Sequence, residues 1–201
     1  MTLIGSPGLR YFVRHADDLI GGRLPDARSG FEHARQVAAL LGDVLCDADL
    51  LPGDVTSVPA PDGFGKYLLH RSPCFVVFAT VTAPEVAAPI HDHGSWGVVG
   101  LWRGLEEEVR YRLEPGSGPS GPLAEAGRKR YAAGDVMIIE PPPDDVHQVF
   151  NTGARASVSV HLFAGDLVTS GFRVWAGPRA AARHTGRLAY DPVPVLEAGA
   201  R

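Results

Sequence analysis

The sequence predicts a mainly β protein, a barrel or sandwich of short strands with helices packed on it. Between residues 66 and 176, short runs of β-branched and aromatic residues alternate with turn residues. The 24 glycines and 17 prolines also favour a turn-rich β architecture over a helix bundle. Before residue 60, in contrast, apolar residues recur at helical spacing. These observations together predict a helical cover followed by a β core.

The composition argues against several classes of function. The 201 residues suit one domain with a modest extension, and 45% of them are hydrophobic, as in ordinary globular proteins. A net charge of −4 without a basic block argues against a nucleic-acid partner. We expect no membrane span, because no apolar run approaches roughly 20 residues, and no signal peptide, because the N-terminus lacks a basic segment followed by an apolar one. Two cysteines do not indicate a disulfide scaffold, so a cytoplasmic protein is expected, either a monomer or a homo-oligomer.

Residues 1–60 are predicted to form the helical cover. A first helix would present four apolar residues on one face: Leu9, Phe12, Val13 and Ala16. Ser29 and Glu32 have the spacing of a capping box for a second helix, which is expected to end near Gly42. This segment shows no pattern that indicates chemistry, so we assign it a covering role.

Residues 61–177 are predicted to form the barrel, and residues 178–201, rich in Ala, Arg, Gly and Pro, a loosely held tail. Within the barrel, residues 106–115 alternate charged and apolar side chains, which predicts a strand with one solvent-facing side. The Gly-, Pro- and Ser-rich stretch Glu114–Gly127 is the predicted flexible insertion.

The stretch Ala88–Gly104 indicates the chemistry. His91 and His93 are separated by one residue, so on a β-strand both side chains would point to the same face. Their Cβ atoms would then lie roughly 7 Å apart, a spacing at which two imidazoles can converge on one metal ion. His147, on a later strand, is the candidate for the third ligand. The sequence therefore predicts a metal site made by these three histidines.

Two segments resemble the paired motifs of the cupin superfamily. They are His91-Asp92-His93 followed by Gly104, and Gly134-Asp135 followed by Pro141, His147 and Asn151. The resemblance implies a cupin fold, a double-stranded β-helix or jelly-roll barrel, with the N-terminal helices packed on it. Many cupins place a glutamate four or five residues after the paired histidines, but Gly97 and Val98 stand at those positions. A divalent ion held by neutral imidazoles alone would keep its full charge, which suits binding of an anionic ligand together with O₂.

The chain also resembles a narrower group, the three-histidine thiol dioxygenases of the cysteine dioxygenase family, and especially the bacterial 3-mercaptopropionate dioxygenases. Matching segments are Tyr67–His70, the pattern PIHDHxxWGxxGxxxG at Pro89–Gly104, Gly134-Asp135, His147, and Ser159-Val160-His161 leading to Arg173. The resemblance implies an enzyme with one Fe(II) per chain. Such an enzyme adds both atoms of O₂ to a small thiol and releases a sulfinate.

In that family a Ser-His-Tyr relay adjusts the hydrogen bonds beside the iron. Ser159 and His161 match its first two members and are the predicted catalytic residues, but the third position is Phe163. The phenolic donor is therefore missing. A different substrate, a compensating group such as Tyr111 or Tyr131, and an altered activity all remain open.

A substrate with a carboxylate requires a cation, and two arginines are candidates. Arg173 lies within about one residue of the substrate-binding arginine of the mercaptopropionate enzymes, whereas Arg71 lies nearer the segment that supplies it in cysteine dioxygenases. Trp96 and Phe163 are the aromatic candidates for the pocket wall, although Trp96 is equally suited to the core.

Two other functions remain open. A cupin metalloenzyme could oxidise a different small metabolite, in which case O₂ would be consumed without a thiol. A non-catalytic module could instead bind a small molecule through its metal, in which case the ligand would stabilise the protein without O₂ uptake.

Overall fold

The computed structural model describes residues 6–21, 30–52, 55, 62–165, 167 and 171–185. Helix α1 spans Pro7–Ile20, and a 3₁₀ turn at Phe31–His33 leads into helix α2, Ala34–Val44. The strands are β1 Phe64–Arg71, β2 Phe75–Thr82, β3 Ile90–His91, β4 Gly97–Arg103, β5 Leu105–Leu113, β6 Leu123–Ala132, β7 Val136–Ile139, β8 His147–Asn151, β9 Ser157–Ala164, β10 Phe172–Trp175 and β11 Arg183–Thr185.

The strands form two sheets, ordered β1-β2-β9-β4-β7 and β11-β10-β3-β8-β5-β6, in which neighbouring strands are antiparallel. The eight strands β2 to β9 divide into β2-β9-β4-β7 and β3-β8-β5-β6. This is the strand order of a jelly roll, the double Greek key that cupins share. The predicted fold class, a mainly β cupin barrel with N-terminal helices packed on it, is confirmed.

Helix α1 packs on helix α2, which packs on β4 and β7, so the two helices together cover the first sheet as predicted. The four predicted apolar residues of α1 are all buried, and the Leu9 backbone N–H donates to Ser6 Oγ at 3.1 Å, which caps the helix start. Helix α2 begins without a side-chain cap and continues past Gly42 to Val44, so the predicted end was two residues early. The predicted capping residue Ser29 lies outside the described residues. Neither described helix combines the length and apolar character needed to cross a membrane.

Two parts of the predicted loop structure are strands. Residues 123–127 of the predicted insertion belong to β6, where ion pairs join the exposed faces of β5 and β6. Glu107 pairs with Arg128 at 3.2 Å and with Arg130 at 3.0 Å, so charged side chains support a strand that lacks an apolar pattern. Within the predicted tail, Arg183–Thr185 pairs with β10 and extends the second sheet.

Candidate metal centre

Three histidines from two neighbouring strands and one loop meet inside the barrel. His91 ends β3, and His147 begins β8 directly opposite it in the antiparallel register. His93 follows two residues after His91. Each ring offers one nitrogen, and these nitrogens all lie within 4.8 Å of one another. The three side chains are therefore positioned to bind a metal ion.

The expected strand through His93 is wrong, because β3 ends at His91. The buried Asp145 carboxylate accepts the backbone N–H groups of His93 at 3.1 Å and Gly94 at 2.8 Å. Gly94 has a positive φ of 65°, which glycine adopts without steric cost. A carboxylate-held turn, rather than strand alternation, thus directs His93 towards the other two histidines.

Hydrogen bonds fix the orientation of two of the rings. His91 Nδ1 donates to the Pro89 carbonyl oxygen at 2.8 Å, and His147 Nδ1 donates to Glu108 Oε1 at 3.0 Å. Both acceptors lack hydrogen, so Nδ1 carries the proton and Nε2 keeps the lone pair that a metal requires. Burial lowers the pKa of His91 to about 3 and the pKa of His93 well below its ordinary value. Both rings are therefore neutral near pH 7, as metal ligands must be.

A buried ring nitrogen without a hydrogen-bond partner is a second indication of metal binding. Within the described part of the chain, the buried Nδ1 of His93 has no hydrogen-bond partner. Buried polar atoms usually have partners, so an imidazole with an unpaired buried nitrogen is suited to binding a ligand. The three imidazoles therefore fit a resident divalent ion.

Glu108 on β5 supports His147 from behind. Besides His147, this 1% exposed carboxylate accepts from Arg110 Nε at 3.0 Å and from the Tyr131 hydroxyl at 3.1 Å. Burial alone would raise the pKa of Glu108, but the hydrogen bond from His147 and the charge and hydrogen bond of Arg110 outweigh it and hold the pKa at about 2. The anion therefore persists and keeps the ring of His147 in one orientation.

The expectation of a solvent-facing charged side on β5 is wrong for Glu106 and Glu108. Both are buried, at 2% and 1% exposure. They face inwards because buried donors satisfy them: Ser157 Oγ reaches Glu106 Oε1 at 2.7 Å, and His147 reaches Glu108. The alternation of the sequence identified residues that share a face, but not which face lies inside.

A cavity of about 100 Å³ lies beside the three histidines, between the two sheets. Most of its wall is apolar, with Phe78, Val99 and Met137 among the lining residues. The polar and charged lining groups, apart from the three histidines, are Lys66, Thr80, Thr82, Glu106, Ser159 and His161. This volume is well below the roughly 300 Å³ at which pockets for drug-sized ligands begin. The cavity therefore fits a small molecule.

The predicted pair Ser159 and His161 is brought together on this wall. Ser159 Oγ lies 2.9 Å from His161 Nε2, and Thr80 Oγ1 lies 2.7 Å from Ser159 Oγ and 3.1 Å from His161 Nε2. Burial lowers the pKa of His161 to about 3, and its ring stacks on Phe78 with centroids 4.7 Å apart. Thr80 was missed because it is opposite Ser159 only through the register of β2 and β9.

The two predicted aromatic wall residues lie behind the cavity lining. Phe163 is fully buried and stacks on His93, with ring centroids 3.9 Å apart. A Cβ atom at Gly97 would lie 2.4 Å from the Phe163 ring, so glycine there leaves room for it. Trp96 is also fully buried and packs near Phe31 on the side covered by the helices. Phe163 thus supports a predicted ligand, and Trp96 belongs to the core.

Neither predicted arginine lines the cavity. Arg173 Nε donates to Asp92 Oδ2 at 2.5 Å and its backbone N–H to Asp92 Oδ1 at 2.6 Å, which anchors β10 to the histidine loop. Arg71 is an exposed residue at the end of β1. Among the residues that the structure describes, the basic side chain that lines the cavity is instead Lys66, the β1 residue opposite Thr80. Lys66 was not predicted, because a single sequence does not show which face of β1 points inwards.

No protein-family model matches the chain. Solved structures with a similar fold include a cupin 2 conserved barrel domain protein from Salinispora arenicola CNS-205, with 20% identity, 57% of this chain and 87% of that chain covered, and a TM-score of 0.42. KdgF from Halomonas sp. shows 13% identity, 53% and 83% coverage and a TM-score of 0.42. Oxalate oxidase in complex with the substrate analogue glycolate shows 18% identity, 57% and 59% coverage and a TM-score of 0.42. At these identities the similarity concerns the barrel fold alone.

Proposed function

We propose that the protein is an Fe(II)-dependent thiol dioxygenase that converts a small thiol and O₂ into a sulfinate. The observation that carries this proposal is a group of three histidines positioned to hold a metal ion, with no carboxylate in that group among the described residues, beside a cavity of about 100 Å³. Neutral ligands leave the charge of a divalent ion uncompensated, and a thiolate is a soft anion that would balance it. The overall reaction is balanced as RSH + O₂ → RSO₂H, with sulfur oxidised and both oxygen atoms retained.

The metal would lower the pKa of the bound thiol and supply the redox chemistry between sulfur and O₂. The residues of this chain would bind the metal, limit access of water and supply hydrogen bonds. His91, His93 and His147 each place one ring nitrogen within 4.8 Å of the others, and the mainly apolar wall limits the water around them. Ser159, His161 and Thr80 place connected hydrogen-bonding groups on the same wall, where they can orient oxygen atoms.

A carboxylate-bearing thiol would meet Lys66. Its ammonium contributes to the lowered pKa values of both His91 and His161, which agrees with its position on the wall that these rings share. We expect Lys66→Met to raise KM for 3-mercaptopropionate about 10- to 100-fold, because a charge-assisted hydrogen bond contributes about 1.5–3 kcal/mol. KM for cysteamine, which has no carboxylate, should change little. Steady-state O₂ uptake measures both, with Lys129→Met as the surface control; an equal change for the two thiols would contradict the assignment.

The decisive experiment measures O₂ consumption by anaerobically iron-loaded protein. The panel contains cysteine, 3-mercaptopropionate, cysteamine, mercaptosuccinate and a sample without thiol. We expect uptake with at least one thiol, a sulfinate of plus 32 mass units, and loss of both iron and activity in His147→Ala. Uptake without a thiol would instead indicate oxidation of another metabolite, and iron binding without any uptake would indicate a binding module.

A further inference from the structure

Glu106 is a buried carboxyl group that the proposed chemistry does not yet use. It lies on β5, lines the cavity and is 2% exposed. Its Oε1 accepts from Ser157 Oγ at 2.7 Å, which connects the two sheets. Among the residues that the structure describes, Ser157 is its sole hydrogen-bond donor, so one carboxylate oxygen is left for a ligand in the cavity.

The position of Glu106 relative to the histidines sets what it can contact. Glu108, two residues along the same strand and on the same face, contacts His147 directly. The rise of a β-strand places Glu106 about 7 Å farther along. Among the described residues, the group whose ligand atoms lie within 4.8 Å of one another contains the three histidines and not Glu106, so Glu106 is not placed as a fourth metal ligand. It lines the same cavity of about 100 Å³ as the three histidines, so one small molecule can contact both.

The electrostatics of Glu106 favour a cationic partner. Burial raises its pKa to about 7, and the Ser157 hydrogen bond only partly opposes this. No described basic side chain forms an ion pair with it, whereas the neighbouring buried Glu108 has Arg110. A buried carboxylate is costly unless it is paired, and a ligand cation inside the cavity would supply the missing charge.

Building on the proposed function, we propose that Glu106 binds the ammonium group of the substrate, so that the preferred substrates are small thiols bearing a primary amine. An ammonium ion has three donors and no acceptor, which complements a carboxylate oxygen. Thr80 and Thr82 bring further oxygen atoms to the cavity wall. The sulfur would lie at the three histidines and the amine at Glu106, with two carbon atoms between them in the smallest such thiol.

The test compares binding of cysteamine with binding of 2-mercaptoethanol, which replaces the ammonium by a hydroxyl at the same length. Anaerobic calorimetric titration of the Fe(II)-loaded wild-type protein, without O₂, should show at least 10-fold tighter binding of cysteamine. Glu106→Gln should remove this preference and leave 2-mercaptoethanol binding within about twofold. The matched control is Glu107→Gln, which alters the next residue on the outer face and should keep the preference.

The outcomes separate this proposal from the dioxygenase proposal. Equal binding of the two thiols by wild-type protein overturns the ammonium site, whatever the variants do, and so does an unchanged preference in Glu106→Gln. A cysteamine preference that depends on Glu106, without O₂ uptake in air, keeps the ammonium site and overturns the dioxygenase. Binding of neither thiol to iron-loaded protein overturns the ammonium site, and O₂ uptake with the full thiol panel then tests the dioxygenase proposal separately.

Discussion

Replacing Glu108 by glutamine is expected to weaken metal binding about 10- to 100-fold, the range observed when a residue that orients a metal-ligating histidine is changed. The carboxylate fixes the proton of His147 on Nδ1 and so directs Nε2 to the metal. It also accepts from Arg110 and Tyr131. A glutamine amide has one acceptor oxygen in place of two, so these three donors can no longer all be satisfied.

Competition with a chelator of known affinity measures the metal dissociation constant of this variant. Glu107→Gln is a suitable control, because Glu107 lies on the outer face of the same strand and pairs with Arg128 and Arg130. Equal metal affinity in Glu108→Gln and wild-type protein would show that the ring of His147 is held without the carboxylate. Loss of affinity in the control would attribute the effect to β5 as a whole.

The fold was predictable because its signals are local. Turn residues between short apolar runs indicate strands, and the spacing of Leu9, Phe12, Val13 and Ala16 indicates an amphipathic helix without knowledge of its partner. The three histidines were found for a similar reason. Imidazoles at close spacing are few in this sequence, and the motifs around them place His147 next to the pair.

Prediction of the remaining site residues requires knowing which face of each strand lies inside, and the alternation of apolar and polar residues does not show this. A period of two identifies which side chains share a face, but a one-residue change in register exchanges inside and outside. The charged residues of the segment 106–115 were therefore predicted to face solvent, although Glu106 and Glu108 point inwards. Lys66 and Thr80 line the cavity through the pairing of β1 with β2 and of β2 with β9, which a single sequence does not specify.

Because a single sequence does not specify where a side chain points, it also did not show that the two predicted arginines point away from the cavity. A candidate position within one residue of a family position does not determine where the side chain points, and here Arg173 meets Asp92. Asp92 thus joins the histidine loop to β10. A cation needed near the substrate is available on another strand, at Lys66. Residue type alone therefore identified the candidate metal ligands. The cation that could bind a substrate anion was identified only from the pairing of the strands.

The buried Glu106 also makes the stability of the protein depend on pH. Its pKa is about 7 in the folded protein, compared with an ordinary value of 4.5. The folded state therefore holds this proton more tightly than the unfolded state. The resulting stabilisation is complete below pH 4.5 and is lost as the pH rises through 7. Since one pKa unit corresponds to about 1.4 kcal/mol, the loss amounts to about 3 kcal/mol.

Glu106→Gln is accordingly expected to unfold with a free energy that changes less with pH than that of the wild-type protein. Relative to wild type, the variant should gain about 3 kcal/mol between pH 4.5 and pH 8, because glutamine carries no charge to bury. Urea unfolding of both metal-free proteins across this range measures the difference, in which contributions from all other titrating groups cancel. A difference that does not vary with pH would show that Glu106 ionises normally in the fold. Addition of cysteamine to iron-loaded protein should reduce the gain, since the bound ammonium would compensate the same carboxylate.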